Sequence, residues 1–290
     1  MEVLKNFKES PNNYGGSELK KTIYLDGSKY MVKFPDPARN KKADEKYINN
    51  VFSEEIGCKV FSSIGIETQE TYLAKYLVNG KEKIVVVCKD FCPPNCHLIE
   101  AGTMGLSNVE SGKKMSHSIE DVEDFITTLK TSDNNKQEFK NRFWEIFVVD
   151  TLLGNEDRHL GNWGFLIDEH DNYKFAPVYD CGSTLAPLSS DKQLAELLKD
   201  KQEFKNKVYS IYPAYVYKEH KIPYFQFYKE NIVDLNNAVI KIVPKIDLKK
   251  INLIISQTEG ISDTRKEFLQ KSIEFRYQNI LLPALESLKH

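Results

Sequence analysis

The feature that most constrains the fold is a change of pattern at Cys92-Pro93-Pro94. Before it, short apolar runs alternate with turn residues, as in β-strands, around one helix-like stretch. After it, apolar residues mostly recur at helical spacing. Neighbouring prolines neither donate to a ladder nor continue a helix, so they suit a connector. We therefore predict an α+β chain of two lobes, a small β-rich N-lobe over residues 1–92 and a larger, mainly helical C-lobe over residues 93–290.

The N-lobe pattern predicts two hairpins and one helix. Asp26-Gly27 and Asn79-Gly80 are typical two-residue hairpin turns, and each lies between strand-like runs. Residues at helical spacing predict a helix from about Ala43 to Ser63.

The C-lobe pattern predicts three helices and a short hairpin. Ser118 to Asp121 resembles a capping box that opens one helix. A buried helix is predicted over Gln137 to Leu153, with Gly154 as its C-terminal cap. Two short strands are predicted near residues 163–167 and 173–176. The last helix is predicted over Asp263 to Leu288, bent near Pro283.

Composition excludes several functional classes. The formal net charge is -2 and basic residues are spread along the chain, so nucleic acid is not expected as the main partner. No apolar run approaches the ~20 residues that span a bilayer, so no membrane association is expected. The N-terminus lacks a secretory pattern, and the 5 cysteines are interpreted as reduced thiols. We expect a cytoplasmic protein, with secretion by a non-classical route left open.

The loop from Gly154 to Asn162 carries the sharpest chemical signal. Asp157 and Asn162 have the Asp-to-Asn spacing of a kinase catalytic loop. A carboxylate there orients the attacking hydroxyl and takes its proton, and a neutral amide oxygen nearby binds Mg²⁺. Asp180, beyond the predicted hairpin and just before Cys181-Gly182, resembles the second metal ligand of kinases. We predict Asp157 as the catalytic base and Asn162 and Asp180 as metal ligands.

The N-lobe supplies residues suited to a nucleotide. Lys33, on an apolar strand, resembles the phosphate-binding lysine of kinases, and Glu54 or Glu55 on the following helix is a carboxylate partner for it. The backbone at the end of the strand reaching residue 91 is predicted to pair with adenine. The predicted ATP-binding residues are Gly15, Gly16 and Ser17 of a glycine-rich turn, Lys33, and Cys88, Lys89, Asp90 and Phe91 at the hinge.

Three residues around the loop have structural alternatives. His159 is counted with the catalytic residues, although bracing of the loop through a backbone bond is favoured over proton transfer. Arg158 is expected to hold an acidic group near the loop. Asp150 is expected to anchor the loop from behind or to face solvent. A zinc site at Cys88, Cys92, Cys96 and His97 is disfavoured, because neighbouring strand residues face opposite sides.

These motifs together resemble the HipA-like kinases. Residues 155–162 look like their catalytic loop, and Ala176-Pro-Val-Tyr-Asp180 looks like their metal-binding segment. Glu54 matches the family's helix glutamate better than Glu55. The resemblance runs from about residue 10 to 190 and is strongest with the compact, CtkA-type members, at residues 13–17 and 30–33.

The resemblance implies a bilobal protein-kinase-like fold, ATP and Mg²⁺, phosphorylation of a protein serine or threonine, and autophosphorylation. Ser17 matches a loop serine whose modification silences family members, because a phosphate adds about two negative charges where ATP phosphates bind. With 290 residues, the chain is not expected to contain the extra N-terminal subdomain of long members. An antitoxin-like regulator is therefore expected only as a separate partner, which puts a toxin–antitoxin role in doubt.

Three other functions stay open. A phosphoinositide kinase shares the Asp-Arg-His-x-x-Asn motif, but the segment after Asp180 is nearly uncharged where a membrane-facing loop would be basic. A small-molecule kinase of the antibiotic type usually has His-Gly-Asp where this chain has Asn155-Glu156. A pseudokinase that only binds partners predicts damage at the base or metal positions, and none is seen.

Overall fold

The computed structural model describes residues 1–11, 19–37, 48–107 and 117–289. The chain forms two compact units, and each is built from separate stretches of sequence. Unit 1 contains Met1–Phe91, Cys181–Lys201 and Asp247–Lys271; unit 2 contains Cys92–Asp180, Gln202–Ile246 and Ser272–His290. The first junction lies next to the two prolines, but two later segments also belong to unit 1. The lobe boundary at residue 92 stays a prediction.

Unit 1 is organised around a five-stranded antiparallel sheet. Its strands are β1 (Lys8–Ser10), β2 (Lys20–Leu25), β3 (Ser28–Lys33), β4 (Thr71–Val78) and β5 (Lys81–Lys89), in the order β1-β2-β3-β5-β4. Both predicted hairpins are confirmed. Asp26, Gly27, Asn79 and Gly80 all have φ between 48° and 77°, the left-handed conformation that two-residue hairpin turns require. Strand β1 was not predicted, because three residues carry too little pattern.

The core of unit 1 lies on both faces of this sheet, since successive side chains point to opposite sides. Val32, Val85 and Val87 are buried on one face. Met31, Val86 and Cys88 are buried on the other, against helix α1 (Asn50–Ser63). Residues 43–47 of the predicted helix lie outside the described residues. The helix begins at residue 50, after the bend at Asn49.

The other described elements are one small sheet and a series of helices. The sheet contains β6 (Cys96–Glu100), β7 (Gly164–Asp168) and β8 (Tyr173–Phe175), antiparallel in the order β6-β7-β8. The helices are α2 (Ala101–Ser107), α3 (Ile119–Thr128), α4 (Asp133–Leu153), α5 (Asp191–Lys199), α6 (Lys201–Tyr209), α7 (Tyr224–Phe227), α8 (Val233–Ile242), α9 (Leu248–Gln257), α10 (Asp263–Arg276) and α11 (Leu282–Ser287).

Side chains and glycine set the helix ends as expected. Ser118 Oγ accepts the Asp121 N–H at the start of α3, and Ser132 Oγ accepts the Asn135 N–H at the start of α4. Helix α4 therefore begins four residues before the predicted start. Gly154 ends it with φ 67°, as predicted, and its N–H is directed at carbonyls of the last turn.

Unit 2 differs from the predicted elements in two details. Strand β6 was not predicted, because β7 supplies a partner that the sequence around residue 96 does not reveal. The predicted last helix forms, as α10 and α11 joined by a π-helical turn (Tyr277–Leu281). Pro283 explains the turn, because it has no N–H and its ring crowds the preceding turn.

In the part of the chain that the structure describes, no helix is both long and apolar enough to cross a membrane.

Candidate active site

Lys33 and Glu54 form a buried ion pair in unit 1. Lys33 is the last residue of β3 and lies opposite Val86 of β5. Its Nζ is 3.1 Å from Glu54 Oε2, and the two side chains are 4% and 1% exposed. Glu55 instead pairs with Lys59, one turn along the same helix. The structure therefore selects Glu54 as the partner of Lys33, while the catalytic role of the pair stays a prediction.

A glycine lies beside the Glu54 carboxylate. A Cβ atom added to Gly182 would lie 3.3 Å from Glu54 Oε2, closer than most such contacts. Glu54 Oε1 is buried and accepts no hydrogen bond from the described residues. A buried acceptor without a donor is energetically unfavourable, so Glu54 Oε1 is suited to accept a hydrogen bond from a donor that enters the site.

The segment after Asp180 lies directly on α1. A Cβ at Gly57 would lie 2.7 Å from the Cβ of Cys181, so only glycine permits this approach. Thr184 Oγ1 donates to the Cys181 carbonyl at 2.8 Å and lies 3.4 Å from the Ser53 carbonyl. These contacts fix the start of the segment within unit 1.

The predicted adenine-binding residues lie at the end of β5. Cys88 is fully buried against α1. The Lys89 N–H donates to the Glu70 carbonyl at 2.9 Å, and the Lys89 carbonyl accepts from Gln69 at 3.0 Å. The Asp90 N–H donates to the Lys29 carbonyl. Both backbone groups of Lys89 are therefore engaged within unit 1, and adenine binding by the hinge residues stays a prediction.

The predicted catalytic loop in unit 2 is closed by its own hydrogen bonds. Asn155 Nδ2 donates to Asp150 Oδ1 at 2.8 Å, and the Asp157 N–H donates to Asn155 Oδ1 at 3.0 Å. Asn162 Nδ2 donates to the Asp157 carbonyl at 2.6 Å, which leaves Oδ1 as the acceptor atom of the amide. The Asp157 side chain is exposed, whereas Asn155 and Asn162 are buried. A rigid backbone thus presents an exposed carboxylate.

His159 supports the loop through its ring. Nδ1 accepts the Gly161 N–H at 3.0 Å, and the His159 carbonyl accepts the Asn162 N–H at 2.9 Å. The acceptor role of Nδ1 places the proton of a neutral ring on Nε2. This geometry agrees with bracing, the function that the sequence favoured for His159.

Arg158 and Asp150 lie behind the loop as a buried pair. Arg158 Nε is 2.9 Å from Asp150 Oδ2, and Nη2 is 3.2 Å from Oδ1. Arg158 Nη1 donates to the Asn162 carbonyl at 3.0 Å and the Asp180 carbonyl at 3.2 Å, and also to the Tyr179 carbonyl. Asp150 therefore anchors the loop, and the acidic group that Arg158 holds is Asp150 itself.

Several supports of the loop were missed. The N–H groups of Ala101 and Gly102 donate to the Trp163 and Leu160 carbonyls at 3.0 and 2.9 Å. Tyr224 OH donates to the Asn155 carbonyl at 2.7 Å, and burial raises the Tyr224 pKa well above its ordinary value. No short sequence motif marks these residues, because their partners are distant along the chain.

Arg276 supports the end of α4 that leads into the loop. Its Nη1 donates to the Leu152 carbonyl at 2.9 Å, and its Nε donates to the Val208 carbonyl at 3.2 Å. Burial lowers the pKa of Arg276 to about 10. A Cβ at Gly154 would lie 2.6 Å from Arg276 Nη2 and 2.8 Å from Ile211 Cδ1, so a side chain here would displace both groups, and the φ of 67° also favours glycine.

The donor set around residues 162 and 180 fits magnesium. Asn162 offers an amide oxygen whose orientation is fixed by the bond from its Nδ2. Asp180 is half-buried and offers a carboxylate, from a backbone with φ 57°. Hard oxygen donors of this kind suit Mg²⁺, which takes the rest of its shell from waters and phosphates.

Some predicted residues have no structural test. Gly15, Gly16 and Ser17 lie outside the described residues. Within the described ranges, no cluster of three or more His, Cys, Asp or Glu side chains is arranged to hold a metal ion. Cys92 Sγ donates to the Cys96 carbonyl at 3.7 Å.

Three comparisons place the chain among known proteins. Residues 13–246 match the family described as HipA-like C-terminal domain. The serine/threonine-protein kinase CtkA of Helicobacter pylori is 36% identical over 281 residues, which cover 92% of this chain and 82% of CtkA. A crystal structure of H. pylori CtkA has a TM-score of 0.90 at 32% identity, covering 100% of this chain and 99% of that one.

A more distant likeness concerns the fold alone. HipA of Shewanella oneidensis, solved with HipB and operator DNA, has a TM-score of 0.50 at 13% identity, with 96% of this chain and 68% of that one covered. The predicted α+β, kinase-like fold and the family resemblance are both confirmed. The matched residues span most of the sequence, and the chain belongs to the family of HipA-like C-terminal domains.

Proposed function

We propose that this chain is a serine/threonine protein kinase that uses ATP and Mg²⁺ and also phosphorylates itself. One observation carries the proposal: Asp157 is exposed on a loop whose Asn155, Arg158 and Asn162 are only 1%, 3% and 7% exposed. A general base must be held in a fixed position relative to the hydroxyl that it deprotonates, and this loop holds the Asp157 carboxylate in such a position. The name of CtkA, which is 36% identical, supports the serine/threonine kinase activity.

Each residue then has a role in phosphoryl transfer. Asp157 orients the substrate hydroxyl and takes its proton, while a new bond forms between that oxygen and the γ-phosphorus and the bond to the β-phosphate oxygen breaks. Lys33, oriented by Glu54, binds phosphate oxygens of ATP. Asn162 and Asp180 would hold Mg²⁺, which when bound neutralises phosphate charge. Glycines 15 and 16 are proposed to approach the phosphates, and the hinge to bind adenine.

The test is phosphate transfer from radiolabelled ATP with Mg²⁺ and a generic protein acceptor. Asp157→Ala should lose about 10²–10⁴ in rate, because the general base is gone. Glu156→Ala is the matched control, since it removes the neighbouring exposed carboxylate of the same loop and should keep the wild-type rate. Equal labelling by wild type and Asp157→Ala would contradict the proposed role. Label with neither protein would favour a chain that only binds partners.

Autophosphorylation is tested in the same reaction without acceptor. Wild type should acquire label on its own chain, and phosphopeptide mapping should locate it, with Ser17 as the predicted site. A separate antitoxin-like regulator stays a prediction, which co-purification with the expressed chain would test.

A further inference from the structure

The guanidinium of Arg158 contacts the backbone of both proposed metal ligands. Nη1 lies 3.0 Å from the Asn162 carbonyl oxygen and 3.2 Å from the Asp180 carbonyl oxygen. It also donates to the carbonyl of Tyr179, the residue before Asp180. One nitrogen therefore links the two segments from which the ligands project.

The two ligands have no short covalent link that would fix their separation. The hairpin of β7 and β8 lies between them, and it is tied at its base by the bond from the Ala176 N–H to the Gly164 carbonyl, 2.9 Å. Asp180 also has φ 57°, a conformation that costs a non-glycine residue free energy. Such a conformation persists only where contacts with the surrounding structure compensate for this cost. The hydrogen bond from Arg158 to the Asp180 carbonyl holds this residue on one side.

Asp150 fixes the arginine itself. The carboxylate binds Nε and Nη2 with two hydrogen bonds, so the third nitrogen, Nη1, has a defined direction. Asp150 and Arg158 are 1% and 3% exposed, and they line a small cavity with aromatic walls that include Trp163 and Tyr215. In such an apolar setting a charge pair is held firmly, because neither partner has water as an alternative.

We propose that Arg158, oriented by Asp150, is a positioning residue that sets the separation of Asn162 and Asp180 and thereby the affinity for the metal. The inference rests on the proposed function, since it takes these two residues as the metal ligands. Lysine cannot replace arginine here. One ammonium group does not present the planar fork that binds a carboxylate on one side and carbonyls on the other.

The experiment measures Mn²⁺, a paramagnetic substitute for Mg²⁺, bound in the presence of a non-hydrolysable ATP analogue, by electron paramagnetic resonance of the free ion. Arg158→Lys should raise the Mn²⁺ Kd about 10–100-fold, the usual effect of removing a group that orients metal ligands. Asp150→Asn should change Kd in the same direction, because it keeps the side-chain shape but directs an amide at the guanidinium. It provides the test if Arg158→Lys does not fold.

Arg265→Lys is the matched control. Arg265 is also a buried arginine that donates to a carboxylate and to a carbonyl, but these belong to Asp191 and Ser189 of unit 1. Its variant should lower the melting temperature and keep the wild-type Mn²⁺ Kd. Binding by Arg158→Lys equal to wild type overturns the positioning role and leaves the proposed function intact. An equal rise in Kd for Arg265→Lys overturns it as well, because general destabilisation then explains the loss. If wild type with the analogue binds no Mn²⁺, the proposed metal use fails and this inference fails with it.

Discussion

Replacing Lys33 with methionine would leave the Glu54 carboxylate buried without its cation. The two side chains are 4% and 1% exposed, so water cannot compensate for the lost partner. Breaking a buried pair from one side costs about 3–5 kcal/mol in the free energy of unfolding. Glu54→Leu should cost a similar amount, because it leaves a buried ammonium group. The double variant Lys33→Met/Glu54→Leu should recover most of the loss, since it removes both charges and keeps the volume nearly constant.

The free energy of unfolding would be measured for all four proteins by urea titration followed by circular dichroism, as a double-mutant cycle. Lys271→Met is the control. It breaks the i,i+4 pair with Glu267, whose side chains are 53% and 54% exposed, and such pairs contribute about 0.3–0.5 kcal/mol. The two single variants should therefore lose several times more stability than the control.

Activity separates the two roles of the pair. All three variants at Lys33 and Glu54 should lose phosphoryl transfer, including the double variant whose stability is restored. Single-variant losses below about 1 kcal/mol would refute the buried-charge reasoning, as would strictly additive losses in the double variant. An active double variant would instead refute the proposed phosphate-binding role of Lys33.

Two further predictions concern packing and pH. Gly57→Ala should cost about 1–3 kcal/mol in urea titration, because the new methyl group meets the Cβ of Cys181 at 2.7 Å. Adding Cys181→Gly should recover part of this loss, and no loss in the single variant would contradict the contact. Burial raises the pKa of Glu123, whose carboxylate accepts from Trp144 Nε1 at 3.1 Å. When the pKa of an acid is raised in the folded state, the protein loses stability as the pH rises through that pKa. Glu123→Gln should therefore raise the melting temperature at pH 7, and this gain should disappear below pH 4.5, the ordinary pKa of the group. A gain in melting temperature that does not change with pH would argue against this reasoning.

The parts of the fold that were predictable are those with local causes. Asp26-Gly27 and Asn79-Gly80 force hairpins because these residues accept left-handed backbone. Gly154 ends α4 for the same reason, and the apolar period of the preceding residues marks the helix. Strand β6 has no such signal, since its pairing depends on β7, more than sixty residues later.

The same distinction applies to the candidate site. Asp157, Asn162 and Asp180 carry a motif because the proposed chemistry demands those residue types at fixed spacing. Separate roles were predicted for Asp150 and Arg158, but their pairing was not. The two residues lie eight positions apart, one on a helix and one in a loop, and this spacing does not show whether their side chains point toward each other. Tyr224 bonds the loop and Arg276 bonds the end of α4, both from helices distant in sequence, and a tyrosine or arginine in a helix is ordinary until its partner is known.

The left-handed backbone conformation of Asp180 also restricts which residues can replace it. Asparagine and glycine adopt this conformation readily, whereas alanine or any branched side chain adds roughly 1–2 kcal/mol of strain. A homologue that lost phosphoryl transfer by drift should therefore carry asparagine or glycine here more often than alanine. Such a protein would keep its fold, because asparagine and glycine adopt the backbone conformation at residue 180 at little cost in free energy.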